Sequence, residues 1–75
     1  MSTPTEAIRE ELMARSEQYR HLREEHARYA SQLEQLAAKG HLSDQEQMEE
    51  VRLKKLKLRL KDQMETLVRQ AQAVH

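Results

Sequence analysis

An all-α fold is predicted, an antiparallel two-helix hairpin of coiled-coil character that dimerises into a four-helix bundle, and three observations predict it. The 75-residue chain holds one Gly, one Pro, no Cys, Trp or Phe and 35% charged residues, and it is dominated by Ala, Glu, Leu, Lys, Arg and Gln, the strongest helix formers. Apolar residues recur at steps of three and four along two long stretches, the spacing of a helix seam. The sole glycine, Gly40, falls between those stretches, where a chain reversal needs it.

Helix one is expected from about Pro4 to Ala38. Thr3 caps free amides, Pro4 suits the first helical position, and Glu6 completes a Thr-x-x-Glu capping box. Ile8, Leu12, Arg15, Tyr19, Leu22, His26, Tyr29, Leu33 and Leu36 then form a heptad seam with two polar interruptions. The helix ends at Lys39-Gly40, where Lys39 complements the negative helix end and Gly40 takes the left-handed closing conformation. A turn over residues 39–43 leads to a second capping box, Ser43-Asp44-Gln45-Glu46. So short a connection makes the helices antiparallel neighbours. Helix two, from about Asp44 to Ala73, has the seam Leu53, Leu56, Leu60, Met64, Leu67, Ala71 and Val74, one extra four-residue step relaxing its supercoil.

The alternation Leu56-Lys57-Leu58-Arg59-Leu60-Lys61 has the period of a strand, but it lacks β-branched residues and both flanks are helical, so it is read as helix. Outside the seams, Glu11 and Arg15, Glu24 and Arg28, Glu50 and Lys54, and Glu65 and Arg69 stand in the favourable i to i+4 order. Each pair supports its helix by about 0.2–0.5 kcal/mol and implies no partner.

Composition also excludes chemistry. Without cysteine there are no disulfides, zinc-thiolate sites or thiol nucleophiles. The early acids Glu6, Glu10, Glu11 and Glu17 do not suit a signal peptide, and no window approaches a membrane span, so a cytoplasmic protein is expected. His21 and His26 are five apart, not the four of a helical metal pair, and neither follows a glutamate at the Glu-x-x-His spacing; no metal site and no cofactor are expected. Ser16, Ser31 and Ser43 have no base and acid beside them, so no catalytic residue and no enzyme activity are expected.

Two features remain. His26 occupies the seam between Leu22 and Tyr29 and is read as a polar residue that fixes register or partner, with a pH switch as the sharper alternative. Arg15 is expected to snorkel from the seam edge. In helix two, Arg52, Lys54, Lys55, Lys57, Arg59 and Lys61 place six bases in ten residues with no acid among them. At 100° per residue they fan to both sides of the leucine seam, and no aromatic side chain interleaves them, which suits neither a phosphate track nor base stacking. Val51 and Leu58 interrupt the polar side that a membrane-surface helix would need. The bases are therefore expected to meet acids of the first helix or of another chain.

Glu24-Glu25-His26 on the first helix, with the run from Leu53 to Asp62 on the second, resembles the YdcH-like family of small bacterial proteins. The resemblance spans about residues 17–67 and rests most on Leu53, Lys54, Lys55, Lys57, Leu58, Leu60, Lys61 and Asp62. It implies a self-associating helical hairpin and, the family being one of unknown function, no catalytic role. The functional expectation is a non-enzymatic interaction or scaffold module. It self-associates through Met48, Val51 and Leu58, which lie off the leucine seam, and the flanking bases meet acids such as Glu17, Glu24 or Glu25 of a second copy. An unidentified protein partner fits the same surface. The alternative is a nucleic-acid-binding hairpin using residues 52–61.

Overall fold

Helix propensity carries almost the whole chain, but the helices are broken once more than the heptads predict. The computed structural model describes residues 4–74, which form α1 (Pro4–Arg15), α2 (Glu17–Ala37) and α3 (Asp44–Val74), with no strand among them. The single first helix expected from Pro4 to Ala38 is thus corrected to two, divided at Ser16. Thr3, the expected first cap, lies outside the described residues.

Ser16 breaks the helix because it caps a new one. Its backbone is extended at φ −105° and ψ 110°, and its Oγ accepts a hydrogen bond from the Tyr19 amide at 3.1 Å. Serine is among the best residues for this, since its short side chain satisfies an amide that has no partner in the first turn. The other side of the break is satisfied as well: Arg20 Nη1 donates to the carbonyls of Met13 and Ala14 at 3.0 and 3.2 Å, oxygens that the end of α1 leaves open. Arg15 at the end of α1 and Glu17 at the start of α2 each complement the local helix dipole. Arg15 does not snorkel along a seam; its side chain is exposed and lies 3.6 Å from Glu11.

The turn between α2 and α3 follows the expected chemistry. Gly40 has φ +72° with no atom near the position a Cβ would take, so the backbone conformation and not a lack of space requires glycine there. Ser43 and Glu46 form a reciprocal capping box: the Ser43 amide donates to Glu46 Oε1 at 3.0 Å and the Glu46 amide donates to Ser43 Oγ at 3.1 Å. The Lys39 ammonium closes on the Glu46 carboxylate across the turn. That contact, followed by the Ser43 amide, holds the Glu46 carboxyl down to about 2.

Helix lengths show which part of α3 is left for α1 to cover. The 31 residues of α3 make a rod of about 46 Å at ~1.5 Å per residue, close to the molecule's 48 Å long axis. The 21 residues of α2 reach only about 31 Å along it. α1 covers the remainder, and Gln72 Nε2 donates to Thr5 Oγ1 at 3.3 Å at the end far from the turn. The buried side chains are Tyr19 and Leu22 from α2 and Leu53, Leu60 and Val68 from α3, with Ile8 and Leu12 half-buried on α1. Val68, buried near the end of α3, is not among the expected seam residues; it lines the same groove as Tyr19 of α2 and Arg9 of α1.

Candidate interaction surfaces

Among the described residues, the most exposed large apolar side chains stand on the outer face of α3. Leu53 and Leu60 turn inward and are 1% and 8% exposed, while Met48, Val51 and Leu58 are 74%, 50% and 59% exposed. Val51 and Leu58 are seven residues apart, two helical turns, so they stand on one line, some 150° around the helix from the buried leucines.

The basic run divides into paired and unpaired members. Arg52 meets Glu49 through two hydrogen bonds of 2.6 and 3.2 Å, which lowers the Glu49 pKa and raises that of Arg52. Lys54 lies 3.7 Å from Glu50. Lys55, Lys57, Arg59 and Lys61 form no ion pair among the described residues. The acids that meet the first two bases thus come from the same helix, one turn earlier, not from helix one.

Beside that face, α2 and α3 enclose an open groove. One stretch, of about 490 Å³, is lined by Arg23, His26, Lys57, Lys61, Met64 and Val68 among others, and Arg9 of α1 reaches its end. A second stretch, of about 510 Å³, shares His26, Lys57 and Lys61 and adds Ala30, Leu33 and Leu58. His26 is therefore half-buried at the groove wall and not sealed in the seam. Its pKa is lowered, first by partial burial and then by the positive charges of Lys57, Lys61 and Arg23. Sequence spacing singles out His26 on one helix and Lys57 and Lys61 within the basic run of another; their meeting, and the part of Arg23, depends on the axial register of α2 against α3.

The other polar clusters are local. His21 Nε2 lies 3.2 Å from Glu25 Oε1, and Glu25 also meets Arg28 at 3.8 Å, in place of the expected Glu24–Arg28 pair. Among the described residues no group of three or more His, Cys, Asp or Glu side chains is placed to hold a metal ion, and no helix is long and apolar enough to cross a membrane.

These features define a small, charge-rich, all-helical protein with an exposed apolar stripe. The chain belongs to the family described as "Protein of unknown function (DUF465)", the small YdcH-like bacterial family, whose sequence model matches residues 20–68. The match runs from the first turn of α2 to Val68, so it takes in the α2–α3 pair and leaves α1 outside. No curated protein and no solved structure matches the chain.

Proposed function

We propose that the protein is a non-enzymatic interaction module that self-associates, with the outer face of α3 docking on a second copy as a dimer of helical hairpins. The observation that carries this reading is the exposure of Met48, Val51 and Leu58 on one face of the most central helix. Chains of this size seldom reach adequate stability on one narrow core, and with no cysteine to form a disulfide, burial of a second apolar face is the available device.

Charge selects the docking geometry. If the α3 helices of two copies crossed near Val51, Arg52, Lys54 and Lys55 of each would face the same bases of the other, which is repulsive. The outer side of α2 instead presents Glu17 and Glu24, exposed and without an ion pair among the described residues. α3 of one copy against α2 of the other brings Lys55 and Arg59 toward those acids and closes a four-helix arrangement.

The experiment is sedimentation velocity of the wild type, Leu58→Glu and Glu17→Lys/Glu24→Lys. The reading predicts a concentration-dependent dimer that Leu58→Glu abolishes and the charge reversal weakens. A wild-type dimer unaffected by Leu58→Glu would move the interface elsewhere. The nucleic-acid alternative draws less support, because Arg52 and Lys54 are already held by Glu49 and Glu50 and the remaining bases line no single stripe.

A further inference from the structure

Five bases meet an acid one helical turn away on their own helix: Arg15 with Glu11, Arg28 with Glu25, Arg52 with Glu49, Lys54 with Glu50 and Arg69 with Glu65. The groove between α2 and α3 departs from that economy. Three or four residues on either side of Arg23 stand Tyr19, Arg20, His26 and Ala27; around Lys57 stand Leu53, Lys54, Leu60 and Lys61. Neither has a carboxylate within reach on its own helix. Lys61 has only Glu65, which lies 3.9 Å from Arg69. Packing α2 on α3 then places these bases around His26, with Arg9 at the end of the same groove. Converging like charges raise the free energy of the folded chain, and an anion seated among them reverses the sign of that contribution.

We propose that Arg23, His26, Lys57 and Lys61 form a seat for the phosphoryl group of a small organic phosphate lying in the groove between α2 and α3. A volume of about 490 Å³ falls within the range of small-ligand sites. Its lining suits a ligand with two ends: guanidinium, imidazolium and two ammonium groups bind a phosphoryl group as donors and as charge, while Ala27, Met64 and Val68 offer an apolar surface to the organic part. The groove is short and bounded by Glu34 and Glu50 at one end and Glu65 toward the other, so its field favours a compact anion over a long phosphate chain.

Binding and protonation are linked at this seat. Partial burial, then Lys57, Lys61 and Arg23, disfavour the imidazolium of His26, and a bound phosphoryl group offsets the three charges and supplies an acceptor. The test is an NMR pH titration of the His26 ring in the full-length chain with millimolar phenyl phosphate, potassium chloride in the reference sample matching the ionic strength. The expected result is a rise of about half a unit or more in the His26 midpoint, roughly threefold in proton affinity, which chloride does not reproduce. The rings of His21 and His41, outside the groove, report the general response of the surface. Lys57→Gln/Lys61→Gln should remove the phosphate-specific rise while circular dichroism stays helical; should that variant unfold, Arg23→Gln tests the opposite wall. An equal rise in chloride means screening only and overturns the proposal, as does a rise that survives both variants. A response to duplex DNA but not to phenyl phosphate would overturn the small-ligand assignment in favour of a nucleic-acid surface.

Discussion

Leu53→Ala separates the folded core from the docking face more cleanly than any other substitution. Among the described residues Leu53 is the most enclosed side chain, at 1% exposure. Removing three buried carbons costs the lost transfer free energy plus that of a cavity, about 2–5 kcal/mol in all. A narrow helical interface can partly collapse, so about 3 kcal/mol is the figure expected here. With an unfolding entropy of about 2.1 cal/mol/K per residue, that is a loss of roughly 15–20 °C in Tm. Leu58→Ala deletes the same atoms from a side chain that is 59% exposed, and in a monomer it should change stability by less than about 0.5 kcal/mol. In a dimer its effect grows, and the Tm then depends on protein concentration. Thermal unfolding followed by circular dichroism at two concentrations tests both. A loss under about 1 kcal/mol for Leu53→Ala would refute the core assignment. A large, concentration-independent loss for Leu58→Ala would place Leu58 inside the monomer's own core.

Three further outcomes follow from the local geometry. Ser16→Ala removes the cap that starts α2 and should cost about 1 kcal/mol; a stabilised, more helical variant would show that α1 and α2 prefer to merge. Gly40→Ala places a Cβ at φ +72° without a clash, so its cost is backbone strain alone, about 1 kcal/mol by chemical denaturation, with Gly40→Asn losing less. Since the folded-state pKa of His26 is lowered, the unfolded chain binds more protons there. The stability it contributes is therefore complete above the unfolded value of about 6.5 and is lost as pH falls through that value toward the folded one. His26→Leu should raise the Tm at neutral pH and flatten this acid limb, whereas an unchanged limb would assign it to another group. The contribution of Glu46, whose pKa is depressed to about 2, disappears only in a separate window, as pH falls below about 4.5.

What the sequence made legible was whatever depends on neighbours along the chain. The Ser43–Glu46 capping box, the left-handed Gly40 and the pairs Glu11–Arg15, Glu50–Lys54 and Glu65–Arg69 need only helical spacing, and each forms. The exposure of Met48, Val51 and Leu58 follows from the same geometry, with Leu53 and Leu60 as the buried line. The break at Ser16 was hidden by a heptad that continues through it, although Arg15 in a seam position next to a strong N-cap residue was a usable signal. Arg20 caps α1 from across the break, which periodicity does not show, whereas Val68 stands one turn after Met64 and two turns after Leu60, a spacing the seam itself allows. The groove around His26 needed the register of α2 on α3, which no local rule supplies.

Self-association through α3 is the claim on which the functional reading stands, and the solution mass tests it most directly. Multi-angle light scattering on the wild-type protein at micromolar concentration should return about twice the chain mass of 8.9 kDa, with Leu58→Glu returning the chain mass itself. A wild-type mass of 8.9 kDa across the accessible concentration range would contradict the account, leaving Met48, Val51 and Leu58 as the surface of a monomer.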